Sequence, residues 1–350
     1  MATPLYDGLF GRHRTSERTF LYPPDGRKLS FRAFLDMAAR YANALTGAGL
    51  EPGDRLAVQV AKSPEALAVY AAAAQAGVIF LPLNTAYTAG EVSYFVGNSG
   101  AKLLLCDGAA EQALAPVAAE HGARLMTLNA DGSGSFAEAA AGRPADFAPV
   151  ERGEDDLAAF LYTSGTTGRS KGAMLSQRNL LSNAGVLTEC WRFTSDDVLL
   201  HALPIFHTHG LFVATNICLL AGASMILLPK FDTDAVIGWL PEANTMMGVP
   251  TFYTRLLDDP RFTRDRVGHF RLFVSGSAPL LAETHTAFEA RTGHCILERY
   301  GMTETNMNTS NPYDGPRIAG TVGLPLPGVE LKIADPDTGA ELPAGEIGVI

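Results

Sequence analysis

The densest phosphate-binding chemistry in the sequence lies at residues 163–171: Thr163, Ser164, Gly165, Thr166, Thr167, Gly168, Arg169, Ser170 and Lys171. The glycines permit positive φ and close approach of a ligand to the backbone. Successive backbone N–H groups in such a loop form a concave anion site. The hydroxyls of Ser164, Thr166 and Thr167 add donors, and Lys171 adds a charge. An apolar run, residues 157–162, feeds into this loop, and a helix is expected after it. The pattern predicts a triphosphate cradle. It is not a Walker A loop, in which four residues separate the first glycine from Gly-Lys-Ser/Thr.

Two further segments follow in order, Ser275-Gly276-Ser277-Ala278-Pro279-Leu280 and Glu298-Arg299-Tyr300-Gly301-Met302-Thr303-Glu304. With the first they span about 140 residues. In type and order the three resemble the adenylate-forming superfamily, which comprises acyl-CoA synthetases, luciferases and nonribosomal adenylation domains. The resemblance extends over essentially the whole chain. It implies that residues 163–171 hold the β- and γ-phosphates of ATP. It implies that Ser277, Ala278 and Pro279 line the acyl site and one face of the adenine. It also assigns Glu298, Arg299, Tyr300, Gly301, Met302 and Thr303 to the nucleotide, and Glu304 with Thr167 to Mg2+. The residue types suit these roles: Tyr300 offers a face for a purine, Thr303 a hydroxyl for the α-phosphate, and Glu304 the hard oxygen that magnesium prefers. Lys171, His207, Thr303 and Glu304 are the catalytic residues expected on this basis.

Pro204-Ile205-Phe206-His207-Thr208-His209-Gly210 resembles the family segment whose first histidine sits by the acyl carboxylate. His207 is therefore expected at the acid, and His209 is the weaker candidate. The segment Gly248-Val249-Pro250-Thr251-Phe252-Tyr253-Thr254-Arg255 resembles the turn and helix that line the acyl pocket. At its inward-facing position most relatives carry a neutral side chain, whereas this chain has Arg255. A guanidinium suits a second carboxylate bidentately, and burying a dianion without such a partner is costly. Residues 248–257 and 302–312 resemble the malonyl-CoA synthetase branch, whose substrates are malonate and methylmalonate, with Arg255, Ser277, His207 and Met302 at the acid. The implied reaction is acyl-adenylate formation followed by thiolysis by coenzyme A, with release of AMP and pyrophosphate. The alternatives are a synthetase for another short-chain or aryl acid, and a binding-only fragment without turnover.

The bulk properties agree. Hydrophobic residues make up 47% and charged residues 18% of the 350 positions, the balance of a packed globule rather than a disordered chain. A formal charge of −10 argues against nucleic acid as a partner. Cys106, Cys190, Cys218 and Cys295 are widely spaced. They read as reduced thiols in a cytoplasmic protein, without disulfide or zinc spacing. No secretory signal is read at residues 1–14. The apolar stretches 66–83 and 211–228 are interrupted by polar residues, Gly or Pro, and read as buried helix-then-strand rather than membrane spans.

The elements that must carry these residues alternate. Ser30 caps a helix of spacing Phe34, Met37, Ala38, Tyr41 and Leu45. Pro64 opens a second helix ending near Gln75, and Thr88 with Glu91 forms a capping box for a third. Strands are read at 56–60, 78–81, 103–106 and 157–162, and a helix at 177–190. Alternating apolar strands and helices imply α/β architecture with mostly parallel sheets. The expected organisation is a first α/β subdomain at 1–155, with 109–155 as a seam. A second subdomain at 156–320 is strand-rich up to residue 275. The start of a β-rich lobe follows at 321–350, with short strands at 329–333 and 346–350. The abrupt end in the last strand reads as a truncation. The resemblance places a ribose-binding Asp, a second Arg, a hinge and a lid domain with the adenylation Lys beyond it, so weak or absent turnover is expected of these 350 residues.

Overall fold

The computed structural model describes residues 3–163 and 169–350. In chain order its strands are β1 (Thr19–Tyr22), β2 (Leu29–Ser30), β3 (Arg55–Gln59), β4 (Ile79–Pro82), β5 (Leu103–Cys106), β6 (Arg124–Thr127), β7 (Leu157–Thr163) and β8 (Lys171–Ser176). They continue as β9 (Val198–His201), β10 (Ser224–Leu227), β11 (Thr245–Gly248), β12 (Leu272–Ser275), β13 (Leu297–Met302), β14 (Asn306–Ser310) and β15 (Leu324–Pro325). They form a six-stranded sheet ordered β6-β5-β3-β4-β7-β8 and a nine-stranded sheet ordered β15-β14-β13-β12-β11-β9-β10-β1-β2. All pairings are parallel except β1–β2, β7–β8, β13–β14 and β14–β15.

Period-two alternation along the strands sorts side chains into layers. Leu103 and Leu105 of β5 point into the same core as Leu199 of β9 and Val274 of β12. Their neighbours Leu104 and Cys106 point the other way, onto Val92, Phe95 and Val117 of the outer helices. Likewise Leu200 and Phe273 join an outer cluster with Tyr253, Leu256 and Phe288. Helices therefore cover both faces of both sheets. The central layer includes helix Pro64–Ala76, which is buried on every face. Its Ala-rich sequence lets helix Phe31–Gly47 and the sheets approach closely.

Local signals explain where these elements begin and end. Ser30 Oγ accepts from Ala33 N at the start of Phe31–Gly47. Ser63 caps Pro64–Ala76, and Gly77 closes it with φ 69°. Thr88 and Glu91 make the full capping box of helix Ala89–Ser99. Among the described residues no helix is long and apolar enough to cross a membrane. The stretches 66–83 and 211–228 fold as helix followed by strand.

Several sequence expectations are corrected. The presumed seam 109–155 contains helix Glu111–Glu120, β6 and helix Ser135–Ala140, and β6 extends the first sheet. The stretch up to residue 275 alternates strands with helices rather than being strand-rich. The two sheets do not divide at residue 155. β1 and β2 join β10 in the larger sheet, while β7 and β8 complete the smaller one beside β4. Composition marks apolar strands but not their neighbours, so this exchange leaves no trace in local pattern. Residues 329–333 form no strand; Ala334 makes isolated bridges to Glu341 and Val349 in a turn-rich segment.

Candidate active site

Open α/β sheets bind ligands beyond the carboxyl ends of their strands. In the larger sheet β9 ends at His201, β11 at Gly248 and β12 at Ser275. The loops leaving these ends, with β13 and β14, enclose a cavity of about 310 Å³. Seven of the candidate site residues named above line it: His207, His209, Ser277, Arg299, Gly301, Met302 and Thr303. Val249 and Met307 add apolar wall. The histidine loop enters a π-helical run, His209–Thr215, which continues as helix Asn216–Ala221. Short π segments recur at functional sites because they re-aim side chains. Gly210 is required there, since a Cβ would run into the Pro204 carbonyl.

Three side chains in this cavity depend on one another. His209 is buried, and its Nδ1 lies 3.2 Å from Ser277 Oγ. Burial, and then the charge of Arg299, holds the imidazole well below the usual histidine range, so the ring is neutral. With Ser277 donating to Nδ1, the proton sits on Nε2, which has no protein partner. Ser277 adopts φ 70°, a left-handed conformation that costs a non-glycine residue about 1–2 kcal/mol. Arg299 is 3% exposed, and its Nε and Nη2 also lack partners. Burial pulls its pKa down to about 10. Its guanidinium packs on Gly276, where a Cβ would come within 2.6 Å of Nε and Nη1. A buried cation without a counter-charge is costly, so this cavity is built for an anion.

Thr303 and Glu304 occupy the turn of the β13–β14 hairpin. The hairpin is tight, because a Cβ on Gly301 would meet the Asn306 carbonyl. Asn306 takes φ 55°, which asparagine tolerates. Glu304 is exposed and faces a neighbouring cavity of about 400 Å³ with Asn183 and Asn306. The Asn183 amide donates to the Met307 carbonyl at 2.9 Å and accepts from its N–H at 3.3 Å, anchoring the hairpin to helix Gln177–Cys190. Glu298 is buried with Oε2 unpartnered, and burial raises its pKa. Tyr300 is half-buried opposite Thr309, while Ala278 and Pro279 are exposed.

Of the phosphate-loop candidates, Ser164, Gly165, Thr166, Thr167 and Gly168 lie outside the described residues. The arms of the loop are defined. Thr163 pairs with Lys171 across the antiparallel β7–β8 hairpin, so a strand rather than a helix follows the loop. The helix expected there begins six residues later, at Gln177. Tyr94 donates its hydroxyl to the Ser170 carbonyl at 2.8 Å, and the Arg169 guanidinium lies 5.7 Å from the Tyr94 ring. Tyr162 donates to Asn98 at 2.6 Å. Helix Ala89–Ser99 thus holds both arms. Lys171 is exposed.

Arg255 departs from expectation. Helix Pro250–Leu257 turns Tyr253 and Leu256 inward. Arg255 lies on the exposed side with its guanidinium 4.9 Å from the Phe231 ring, beside Asp232, Asp258 and Asp259. It lies outside the cavity that Arg299 enters. Asn183 and Tyr94 lie in no recognisable motif, and Met307, although within the matched segment 302–312, carries no expected role.

Residues 11–350 match the AMP-binding enzyme family, and the chain belongs to it. Malonate–CoA ligase ACSF3, mitochondrial, of Mus musculus is 37% identical over 276 residues, covering 73% of this chain and 46% of the relative. Malonate–CoA ligase of Arabidopsis thaliana is 34% identical over 328 residues, covering 87% and 53%. The crystal structure of ATP-bound MatB from Rhodopseudomonas palustris superposes with a TM-score of 0.97 at 55% identity, over 99% of this chain and 69% of that one. The two mostly parallel sheets flanked by helices are the fold of the large domain of adenylate-forming enzymes. The chain spans about half the length of the curated relatives it matches.

Proposed function

We propose that this chain is the nucleotide- and acid-binding part of a cytoplasmic, AMP-forming acid–CoA ligase acting on malonate or methylmalonate. One observation carries the choice of acid: Arg299, buried and unpartnered in the cavity that also holds His209 and Ser277. A monocarboxylate, consumed at its single carboxyl, would leave that guanidinium without a counter-charge. A dicarboxylate places its distal group there, bidentately on Arg299, with the His209 Nε2–H, oriented by Ser277, as a further donor. In this reading the role first expected of Arg255 passes to Arg299.

The proximal carboxylate, near His207, attacks the α-phosphorus of ATP and displaces pyrophosphate. The coenzyme A thiol then attacks the acyl carbonyl of the mixed anhydride and displaces AMP. No protein nucleophile is needed; the residues work by positioning and by stabilising charge. The loop 163–171 with Lys171 takes the β- and γ-phosphates, Thr303 the α-phosphate, and Tyr300, Ala278 and Pro279 the adenine. Magnesium commonly binds through one or two carboxylates plus substrate phosphates, and exposed Glu304 on the hairpin turn fits that need, with Thr167 the second ligand that the family resemblance implies. The ion would supply neutralisation of phosphate charge.

Calorimetric titration of the chain with Mg-ATP, then with malonate, methylmalonate, acetate and benzoate, tests the reading. Malonate is expected to bind at least tenfold more tightly than either monocarboxylate. Equal or tighter binding of benzoate or acetate would overturn it.

A further inference from the structure

A lysine remote from every motif sits between the two sheets. Lys62 belongs to the loop that leaves β3 of the smaller sheet, yet its Nζ lies 2.8 Å from each of three acceptors in the larger one. These are His201 Nδ1, the His201 carbonyl and the Leu203 carbonyl. An ammonium has three donors and no acceptor, so this set satisfies it completely. Lys62 as donor leaves the proton of neutral His201 on Nε2, which points at the Gly210 carbonyl 2.8 Å away. Thr215 Oγ1 donates to the same carbonyl at 2.9 Å. The chain of contacts runs from Lys62 through His201 to Gly210, the residue that follows His209.

We infer that Lys62 is a positioning residue of the acid subsite: by bridging the smaller sheet to His201, Leu203 and, through His201, Gly210, it fixes the loop that carries His207 and His209. The inference rests on the dicarboxylate reading above for the identity of the ligand, but not for the tether itself. Stability alone does not account for a cation here. Replacing a buried ion by an apolar side chain of similar volume is often neutral or stabilising. What the ammonium adds is direction, holding two carbonyls and an imidazole at fixed angles where the loop begins.

Lys62→Met keeps the side-chain volume and removes the donors. Calorimetry with malonate and with Mg-ATP, together with hydrogen exchange resolved along the chain, reads the effect. The tether predicts malonate affinity at least tenfold weaker, Mg-ATP affinity within twofold of wild type, and faster exchange confined to residues 202–211. Malonate binding within twofold of wild type overturns it, as does faster exchange spread evenly over both sheets. Thr215→Val removes one bond to the Gly210 carbonyl without touching a charge, and carries the test if Lys62→Met does not fold. A smaller loss in the same direction supports the tether, and unchanged malonate binding and unchanged exchange overturn it. Should the wild-type chain bind Mg-ATP but no dicarboxylate, the reading of the acid fails by itself, and exchange at 202–211 still decides the tether.

Discussion

At the scale of single residues, the site turns on a guanidinium that the motif reading grouped with the nucleotide. Ser277, Met302, Thr303 and Arg299 were all legible as members of recognisable segments, because each segment keeps its order and types. The direction of a side chain is less legible. Arg255 and Arg299 are equally cationic in sequence, but helix Pro250–Leu257 spends its inward positions on Tyr253 and Leu256, whereas β13 sends Arg299 into the cavity. Arg299→Met is expected to weaken malonate binding by about 2–5 kcal/mol, the cost of removing one partner of a buried charge pair. Arg255→Ala, at an exposed cation stacked on Phe231, is expected to stay within about threefold, under 1 kcal/mol. The reverse order, measured by titration, would return the distal carboxylate to Arg255. Gly276→Ala offers a subtler probe, since its methyl would push the flexible Arg299 head aside rather than the backbone. Malonate affinity should fall about tenfold, or 1.4 kcal/mol, while the thermal midpoint barely moves. A midpoint loss as large as the affinity loss would show that the backbone, not the side chain, gave way.

At the scale of elements, caps were readable because capping chemistry is local: Ser30, Pro64 and the Thr88–Glu91 pair act within one turn. Pairings were not. The strand β8 was overlooked because Lys171, Gly172 and Met174 are exposed and present no apolar alternation. It forms because β7 offers an open edge for antiparallel pairing. Tyr94, too, looks like an ordinary helix aromatic until the fold brings the Ser170 carbonyl to its hydroxyl. One hydrogen bond of this kind contributes about 0.5–1.5 kcal/mol. Tyr94→Phe should therefore weaken Mg-ATP binding by roughly two- to tenfold and leave malonate binding of the ATP-loaded chain unchanged. An equal loss for both ligands would mean that helix Ala89–Ser99 itself had shifted.

At the scale of the whole molecule, two buried histidines at the junction of the sheets couple stability to pH. His201 and His209 are held well below the ordinary histidine range, each by burial first, then by the charge of Lys62 and of Arg299 respectively. In the unfolded chain both titrate near pH 6.5. Below that value the unfolded state takes up protons that the folded state refuses, so stability is lost as pH falls. The slope is about 1.4 kcal/mol per pH unit for each histidine. Urea midpoints should hold steady from pH 8 to 7 and drop between pH 6.5 and 5, before carboxylates such as Glu91 and Asp335, whose hydrogen bonds lower their pKa values, begin to matter. A flat profile down to pH 5 would mean that the two rings charge freely in the fold. The α/β class and the parallel sheets were visible in the alternation of apolar runs, but the exchange of strands between the sheets was not. That exchange also sets a schedule for biosynthesis. Leu21 of β1 pairs with Met225 of β10, about 200 positions later. At roughly 5–20 residues per second on the ribosome, β1 waits about 10–40 s for its neighbour. Through that interval Phe20 and Leu21, wholly buried in the finished molecule, belong to an unclaimed apolar strand of the nascent chain, a segment that a holding chaperone would cover.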